Sequence, residues 1–119
     1  MSVTNFEKIT KELNERELAI VPSIISGFKK YTKENPIKAP VIVKRYNEKV
    51  VGKGIKLTEP RLRKICNHIR SYGLLPLIAT SNGYYVSYDK EEIINQITSL
   101  HERANSIINC AVGLEKFIK

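Results

Sequence analysis

A helix that leads directly into a hairpin is the feature that most constrains the fold of this chain. Residues 57–89 read LTEPRLRKICNHIRSYGLLPLIATSNGYYVSYD. Thr58 is a typical helix N-cap, and Pro60 falls in the first turn, where its missing N–H costs little. Apolar side chains then recur at spacings of three and four residues until Gly73, a residue that commonly ends helices. The pattern predicts a basic, amphipathic helix over 58–72.

The hairpin is predicted by two apolar runs, 74–80 and 84–88, which are rich in β-forming residues and flank a Ser-Asn-Gly sequence. An Asn-Gly pair between such runs is the strongest short-range signal for a hairpin. Strict alternation places Tyr84 and Val86 on one face and Tyr85 on the other. We expect one of these faces to pack on the basic helix.

Positive charge is concentrated in the middle third of the chain. Residues 29–70 hold thirteen Lys and Arg against three acidic residues, a balance of +10. The rest of the chain holds seven basic and nine acidic residues, so the net charge is +8. A regional field of this kind attracts polyphosphate and releases its counterions on contact. A basic surface kept only for solubility would not need to be confined to one segment, so the distribution favours a nucleic-acid partner.

Two further helices are predicted at the start of the chain. Residues 2–13 have the apolar spacing of a short amphipathic helix. Asn14 and Glu17 then form a capping-box pattern, which predicts a second helix over 15–33. Pro22 is expected either to kink this helix or to move its real start later.

The stretch between this helix and the basic helix is predicted to be extended and then helical. Residues 34–39 are expected to be extended or looped, because Pro36 and Pro40 each disfavour helix at the preceding residue. Ile37 could pair with the hairpin as a short strand. A short helix is predicted over 40–49, followed by a flexible basic turn.

The longest helix is predicted to follow Asp89, which begins another capping-box pattern. Its apolar residues repeat at alternating spacings of four and three, which is a heptad pattern. This seam could pack on the chain's own first two helices or form a two-stranded coiled coil with a second copy. We expect both uses, and therefore a homodimer. The seam consists of Ile93, Ile97, Leu100, Ala104, Ile107, Ala111, Leu114 and Ile118.

The composition is that of one ordinary globular domain of 119 residues. No apolar run approaches the roughly 18 residues of a membrane span, and the N-terminus lacks the apolar region of a secretory signal. Cys66 and Cys110 fall in predicted helices without a neighbouring ligand pattern, and we expect two buried thiols in a cytoplasmic protein.

No catalytic or metal-binding set is visible in the sequence. His68 and His101 are the two histidines, on different predicted helices. Cys66 and His68 are two residues apart, so on a helix they point about 200° away from each other. We expect no enzymatic activity, no metal and no cofactor.

The order of the predicted elements is that of a winged helix-turn-helix, an α+β fold that is mainly α. The expected organisation is an N-terminal helical extension over 1–14, a winged helix-turn-helix domain over 15–89 and a long C-terminal helix over 90–119. The segments ERELAIVPSIISGFKKY and LRKICNHIRSYGLLPLIATSNGYYVSYDKEE resemble small winged-helix DNA-binding proteins of bacteriophages and prophages. The likeness covers roughly 15–92.

The resemblance implies that the basic helix enters the major groove of double-stranded DNA and that the hairpin touches a neighbouring groove or the backbone. Independently of the family, Asn67 suits an adenine edge, and Arg63 or Lys64 suits a guanine. The resulting set of expected DNA-binding residues is Lys53, Lys56, Thr58, Arg61, Arg63, Lys64, Asn67, His68, Ser71, Thr80, Ser81 and Asn82.

The function that the sequence favours is a phage-type transcriptional regulator or replication accessory factor, acting in the cytoplasm of a bacterial host. The alternative is a winged-helix interaction module whose charge is directed at an acidic host or phage protein. The two hypotheses differ in whether the chain binds DNA at low salt.

Overall fold

The computed structural model describes residues 12–50 and 55–118, which form an α+β fold that is mainly helical. The described chain divides after Ser87 into two units. The first unit holds three helices and a two-stranded antiparallel sheet, and the second holds one long helix. The elements are α1 (Glu15–Phe28), α2 (Ala39–Lys49), α3 (Glu59–Ser71), β1 (Leu77–Thr80), β2 (Gly83–Val86) and α4 (Lys90–Glu115).

Helix α1 begins where the capping box predicts. The Asn14 side chain accepts from the Glu17 N–H at 2.8 Å, and the Asn14 N–H donates to Glu17 Oε1 at 3.1 Å. Two of the free N–H groups of the first turn are thereby satisfied. Pro22 is exposed and lies inside α1, so it does not move the start of the helix.

The predicted extension of α1 to residue 33 is wrong, because the helix ends at Phe28. The Tyr31 N–H donates to the Phe28 carbonyl at 3.0 Å, and the Asn35 N–H donates to the Thr32 carbonyl at 3.0 Å. These short-range bonds turn the chain where a helix would continue. The lysines at 30 and 33 therefore follow α1.

The segment after α1 is hydrogen-bonded to the hairpin. The predicted pairing of Ile37 with the hairpin is confirmed. Ile37 and Tyr84 exchange two backbone hydrogen bonds, of 2.9 and 2.7 Å. The Val86 N–H donates to the Tyr31 carbonyl at 3.2 Å. Gly83 lies so close that a Cβ there would stand 2.6 Å from the Ile37 carbonyl oxygen. A glycine is thus required where the two backbones meet.

The predicted hairpin is confirmed, with a register that runs from Leu77 opposite Val86 to Thr80 opposite Gly83. Among the described residues no side-chain-bearing residue has a positive φ, and the reversal uses Gly83 at φ +128°. Tyr84 and Val86 pack against the core, as the alternation predicts, and Tyr85 is buried on the opposite face.

Helix α3 supplies much of the core of the first unit. Its inner face carries Leu62, Ile65, Cys66 and Ile69, all with no exposed surface. Leu57, just before α3, is equally buried, and its N–H and carbonyl are both bonded to the Asn47 side chain, at 2.8 and 2.9 Å. Burial of each large apolar side chain contributes about 1.5–3 kcal/mol, so α3 is held firmly in place.

Helix α4 begins at the predicted cap, where the Asp89 side chain accepts from the Glu92 N–H at 3.3 Å. The helix ends at Glu115, so its predicted extent to residue 119 is wrong and Ile118 lies beyond the helix. Hydrogen bonds between residues three apart follow, from the Lys116 N–H to the Gly113 carbonyl and from the Ile118 N–H to the Glu115 carbonyl.

No residue of α4 is buried. Cys66 is buried as expected, whereas the prediction that Cys110 is buried is wrong, because that thiol lies on the exposed surface of α4. None of the described helices is both apolar enough and long enough to cross a membrane.

Two predictions concern parts of the chain outside the described residues. The predicted helix over 2–13 lies almost wholly outside them, and residues 12–14 are not helical. Lys53, expected to hold a phosphate, also lies outside them.

Candidate nucleic-acid interface

The outer face of α3 is the candidate interface. At 100° per residue, Arg63, Asn67 and Ser71 project away from the buried face, and all three side chains are exposed. They offer a guanidinium, an amide and a hydroxyl, the groups that read base edges in a major groove. The side chains behind them are the fully buried ones of the core, so the face is presented by a rigid helix.

Arg63 and Arg70 are seven residues apart, so helical spacing puts them on the same side of α3. Burial raises the pKa of the Tyr84 hydroxyl to about 12, with a further rise from the neighbouring Cys66 thiol, while Arg70 and Arg63 act in the opposite direction. Arg63 also approaches Glu59 at 3.7 Å, in an exposed pair that contributes at most about 1 kcal/mol and is readily exchanged for another anion.

The opposite side of α3 is engaged by α1. Glu17 is buried, and its two carboxylate oxygens accept from Arg61 Nε at 3.0 Å and from Lys64 Nζ at 2.6 Å. Arg61 Nη1 also donates to the Lys56 carbonyl at 2.7 Å. The Arg61 and Lys64 side chains, expected to contact DNA, are thus employed in holding α3 against α1.

Two opposing effects set the pKa of the Glu17 carboxyl. Burial alone would raise its pKa, but the hydrogen bonds from Lys64, from the Asn14 backbone and from Arg61 outweigh that effect. The pKa of Glu17 therefore lies below its ordinary value, and the carboxylate stays charged at neutral pH.

His68 and Thr58 also have local partners. The His68 ring lies 4.6 Å from the Tyr72 ring, and the Tyr72 hydroxyl donates to Glu12 at 3.3 Å, which places both on the α1 side of α3. Thr58 caps α3 by accepting from the Arg61 N–H at 3.3 Å. Its hydroxyl is used in the way the sequence predicts for a helix start.

The hairpin tip carries the three polar residues expected to contact DNA, Thr80, Ser81 and Asn82, and all are exposed. Thr80 Oγ1 accepts from the Asn82 N–H at 3.2 Å and donates to the Gly83 carbonyl at 3.3 Å. The tip is polar and uncharged, which suits contact with sugar and phosphate oxygens through hydroxyl and amide groups.

The sequence did not identify Glu17 or Arg70 as residues of the candidate interface. A signal for Glu17 was present, because Glu17 shares one stripe of α1 with the apolar residues Val21, Ile24 and Phe28. An acidic residue inside an apolar stripe indicates a buried pair with a cation on the facing helix. Arg70 has no comparable signal, since its electrostatic effect on the pKa of Tyr84 depends on how the hairpin folds back on α3.

Comparisons of the chain with protein-family models, with curated proteins and with solved structures found no match. In the described part of the chain, no three His, Cys, Asp or Glu side chains are grouped so that they could hold a metal ion.

Proposed function

We propose that this chain is a double-stranded DNA-binding protein with a winged helix-turn-helix architecture. In this proposal α3 is the recognition helix in the major groove, and the β1–β2 hairpin is the wing. The observation that supports it most is the contrast in burial between the two sides of α3. One side is fully buried, and the other exposes Arg63, Asn67 and Ser71.

The topology of the first unit supports the same proposal. The order of helix, bridged residue Ile37, helix, helix and hairpin fits the winged helix-turn-helix order, and Ile37 forms an isolated bridge to the hairpin. In this architecture the second helix of the pair lies in the major groove with its exposed residues against base edges.

The roles within the interface follow from the chemistry of the exposed groups. Asn67 would pair with an adenine edge through its amide, and Arg63 with the O6 and N7 acceptors of a guanine. Lys56 and Arg70 would hold phosphates, which position the protein without reading sequence. Arg61 and Lys64 would act indirectly, by fixing α3 on α1.

Binding to DNA is tested with labelled mixed genomic fragments and a salt titration. The expected result is binding whose logarithmic affinity falls steeply and linearly with the logarithm of salt concentration. Absence of binding at low salt would refute the proposal and favour the interaction module that binds an acidic protein. Selection of bound fragments from random DNA then identifies the operator, which is needed to distinguish a phage-type regulator from a replication accessory factor.

The separate roles of base contacts and phosphate contacts are tested by two substitutions with a matched control. Asn67→Ala should flatten the preference among sites with little change in salt slope, because it removes a base contact. Lys56→Gln should weaken all DNA similarly and reduce the slope by about one unit. Asn95→Ala, an exposed asparagine on α4, is the control and should change neither quantity. Unchanged relative affinities in Asn67→Ala would show that the assigned groove geometry is wrong.

We also propose that the protein acts as a homodimer through α4. The seam residues Ile97, Ile107 and Leu114 are 47%, 66% and 67% exposed. A helix of 26 residues is about 39 Å long, enough for three heptads of contact. One winged helix reads only a few base pairs, and two-fold pairing on a palindromic site supplies the missing information.

The dimer is tested by sedimentation of a seam variant. Ile107→Glu would bury an unpaired carboxylate, at a cost of several kcal/mol, and should give a monomer. Ser106→Glu introduces the same charge beside the seam and should remain dimeric. A wild-type protein that sediments as a monomer at tens of micromolar would refute the dimer.

A further inference from the structure

A cleft of about 380 Å³ lies between the C-terminal half of α1 and α2. Its apolar floor includes Ile24, Phe28, Ile37 and Ile42. The volume falls within the range of roughly 300–1,000 Å³ that small-molecule sites occupy. The cleft is therefore of a size that suits a small molecule.

The rim of this cleft is cationic. Lys30, Arg45 and Lys49 line it, and none of the described residues that line it is acidic. Arg45 Nη1 donates to the Tyr31 hydroxyl at 2.6 Å, across the cleft. That bond uses one of the five N–H donors of the guanidinium and holds the group at the mouth of the cleft.

We propose that this cleft binds a small organic anion, with an apolar body of about the size of one or two rings and a single carboxylate or phosphate group. The body would lie on Ile42 and Tyr46, which are half-buried, and would leave water there. The acidic group would accept charge-assisted hydrogen bonds from Arg45 and Lys49. Carboxylate and phosphate present the same acceptor oxygens to a guanidinium, so the rim recognises what they share.

An occupant of the cleft would touch the segment that holds the hairpin. Ile37 lines the cleft and forms two backbone bonds with Tyr84, and Tyr31, which also lines it, accepts from the Val86 N–H. A bound anion would therefore change the DNA affinity of the chain, a consequence that rests on the proposed function.

The cleft is tested without DNA, by titrating the full ¹⁵N-labelled chain with three probes. 2-Naphthoate and 2-naphthyl phosphate are the anions, and 2-naphthylmethanol is the neutral analogue. Amide signals of Gly27, Ile42 and Lys49 should shift, and the anions should bind about tenfold more tightly than the alcohol, since a hydrogen bond to a charged group contributes that much. The tighter of the two anions identifies the acidic group preferred.

Arg45→Gln should lower the affinity for both anions about tenfold and leave that for the alcohol unchanged. Lys44→Gln makes the same change of charge on α2 at a residue that does not line the cleft, and should have no effect. Equal affinity for the alcohol and the anions, shifts confined to other residues, or an unaffected Arg45→Gln variant would each overturn the proposal.

The effect on DNA is measured separately, as the affinity for a duplex with and without saturating 2-naphthoate. The wild-type affinity should change with a midpoint at the 2-naphthoate concentration that half-saturates the cleft, and that of Arg45→Gln should change only at about tenfold higher concentration. An unchanged wild-type affinity would overturn the coupling. If the chain binds no DNA at all, the proposed function fails, and the titration without DNA still decides whether the cleft binds anions.

Discussion

The buried carboxylate of Glu17 joins α1 to α3, and Glu17→Gln tests what that junction contributes. Removal of one partner from a buried ion pair costs about 3–5 kcal/mol when the other charge is left buried. Here the Arg61 and Lys64 side chains keep 32% and 14% of their surface exposed, so both can recover water. The amide oxygen of glutamine also preserves an acceptor for the Asn14 N–H. The expected loss is therefore smaller, about 1–2 kcal/mol.

The measurement is urea unfolding of the wild type and the variant at pH 7 and at pH 3. A carboxyl whose pKa is lowered by folding stabilises the protein above its ordinary pKa, and that contribution disappears as the pH falls through the lowered value. The difference between wild type and Glu17→Gln should be complete at pH 7 and should shrink below about pH 4. Glu15→Gln is the control, because Glu15 is an exposed acidic residue in the same first turn.

The same variant should bind DNA more tightly at low salt. Loss of the Glu17 charge releases Arg61 and Lys64 for phosphate contact, so the salt slope should rise by about one to two units. The reasoning is refuted if Glu17→Gln is no less stable than Glu15→Gln at pH 7, or if the difference in stability persists unchanged at pH 3.

Three further substitutions or modifications test the packing. Gly83→Ala should lower the free energy of unfolding by at least about 2 kcal/mol, because Gly83 has a positive φ and a Cβ there would clash with the Ile37 carbonyl. The control is Gly27→Ala, whose Cβ meets nothing within 4 Å, and it should be neutral or stabilising in thermal unfolding. Asn47→Ala should lower the free energy of unfolding, measured in urea, by about 2–3 kcal/mol, because it removes both side-chain hydrogen bonds to the Leu57 backbone. A decrease as small as that caused by Asn67→Ala, at an exposed asparagine, would contradict this prediction. Burial raises the pKa of the Cys66 thiol to about 12, so a thiol reagent at pH 8 should label only Cys110 in the native protein; rapid labelling of the Cys110→Ser variant would show that Cys66 is accessible.

The local elements of the first unit could be predicted from sequence because their signals are short-range. The capping box at Asn14 and Glu17, the Thr58 cap and the Asn-Gly turn each act over three or four residues, and the structure places helix or turn at each. The end of α1 was predicted five residues too late. The apolar residue Tyr31 continues the helical spacing, yet its carbonyl accepts from Val86 in the hairpin, a contact between residues far apart in sequence.

The candidate interface was predictable as a helix face, but not residue by residue. Helical spacing separates the buried Leu62 and Ile65 from the exposed Asn67. It cannot separate a cation that faces solvent from one that faces another helix. Lys64 and Arg63 are neighbours in sequence with the same charge, and only the position of α1 directs Lys64 to Glu17.

The way α3 is fixed bears on how it would read DNA. An asparagine places its amide by two side-chain torsions, so the position of the backbone largely decides whether a base edge is within reach. Asn67 directly follows the fully buried Cys66, and Ile69 is anchored within the same turn. The Glu17 pair with Lys64 fixes the preceding turn from the side. If the proposed function holds, Arg61 and Lys64 would support Asn67 as the residue that reads a base and would not read bases themselves. Loss of the Glu17 charge should then increase affinity for DNA of any sequence and reduce discrimination among sites.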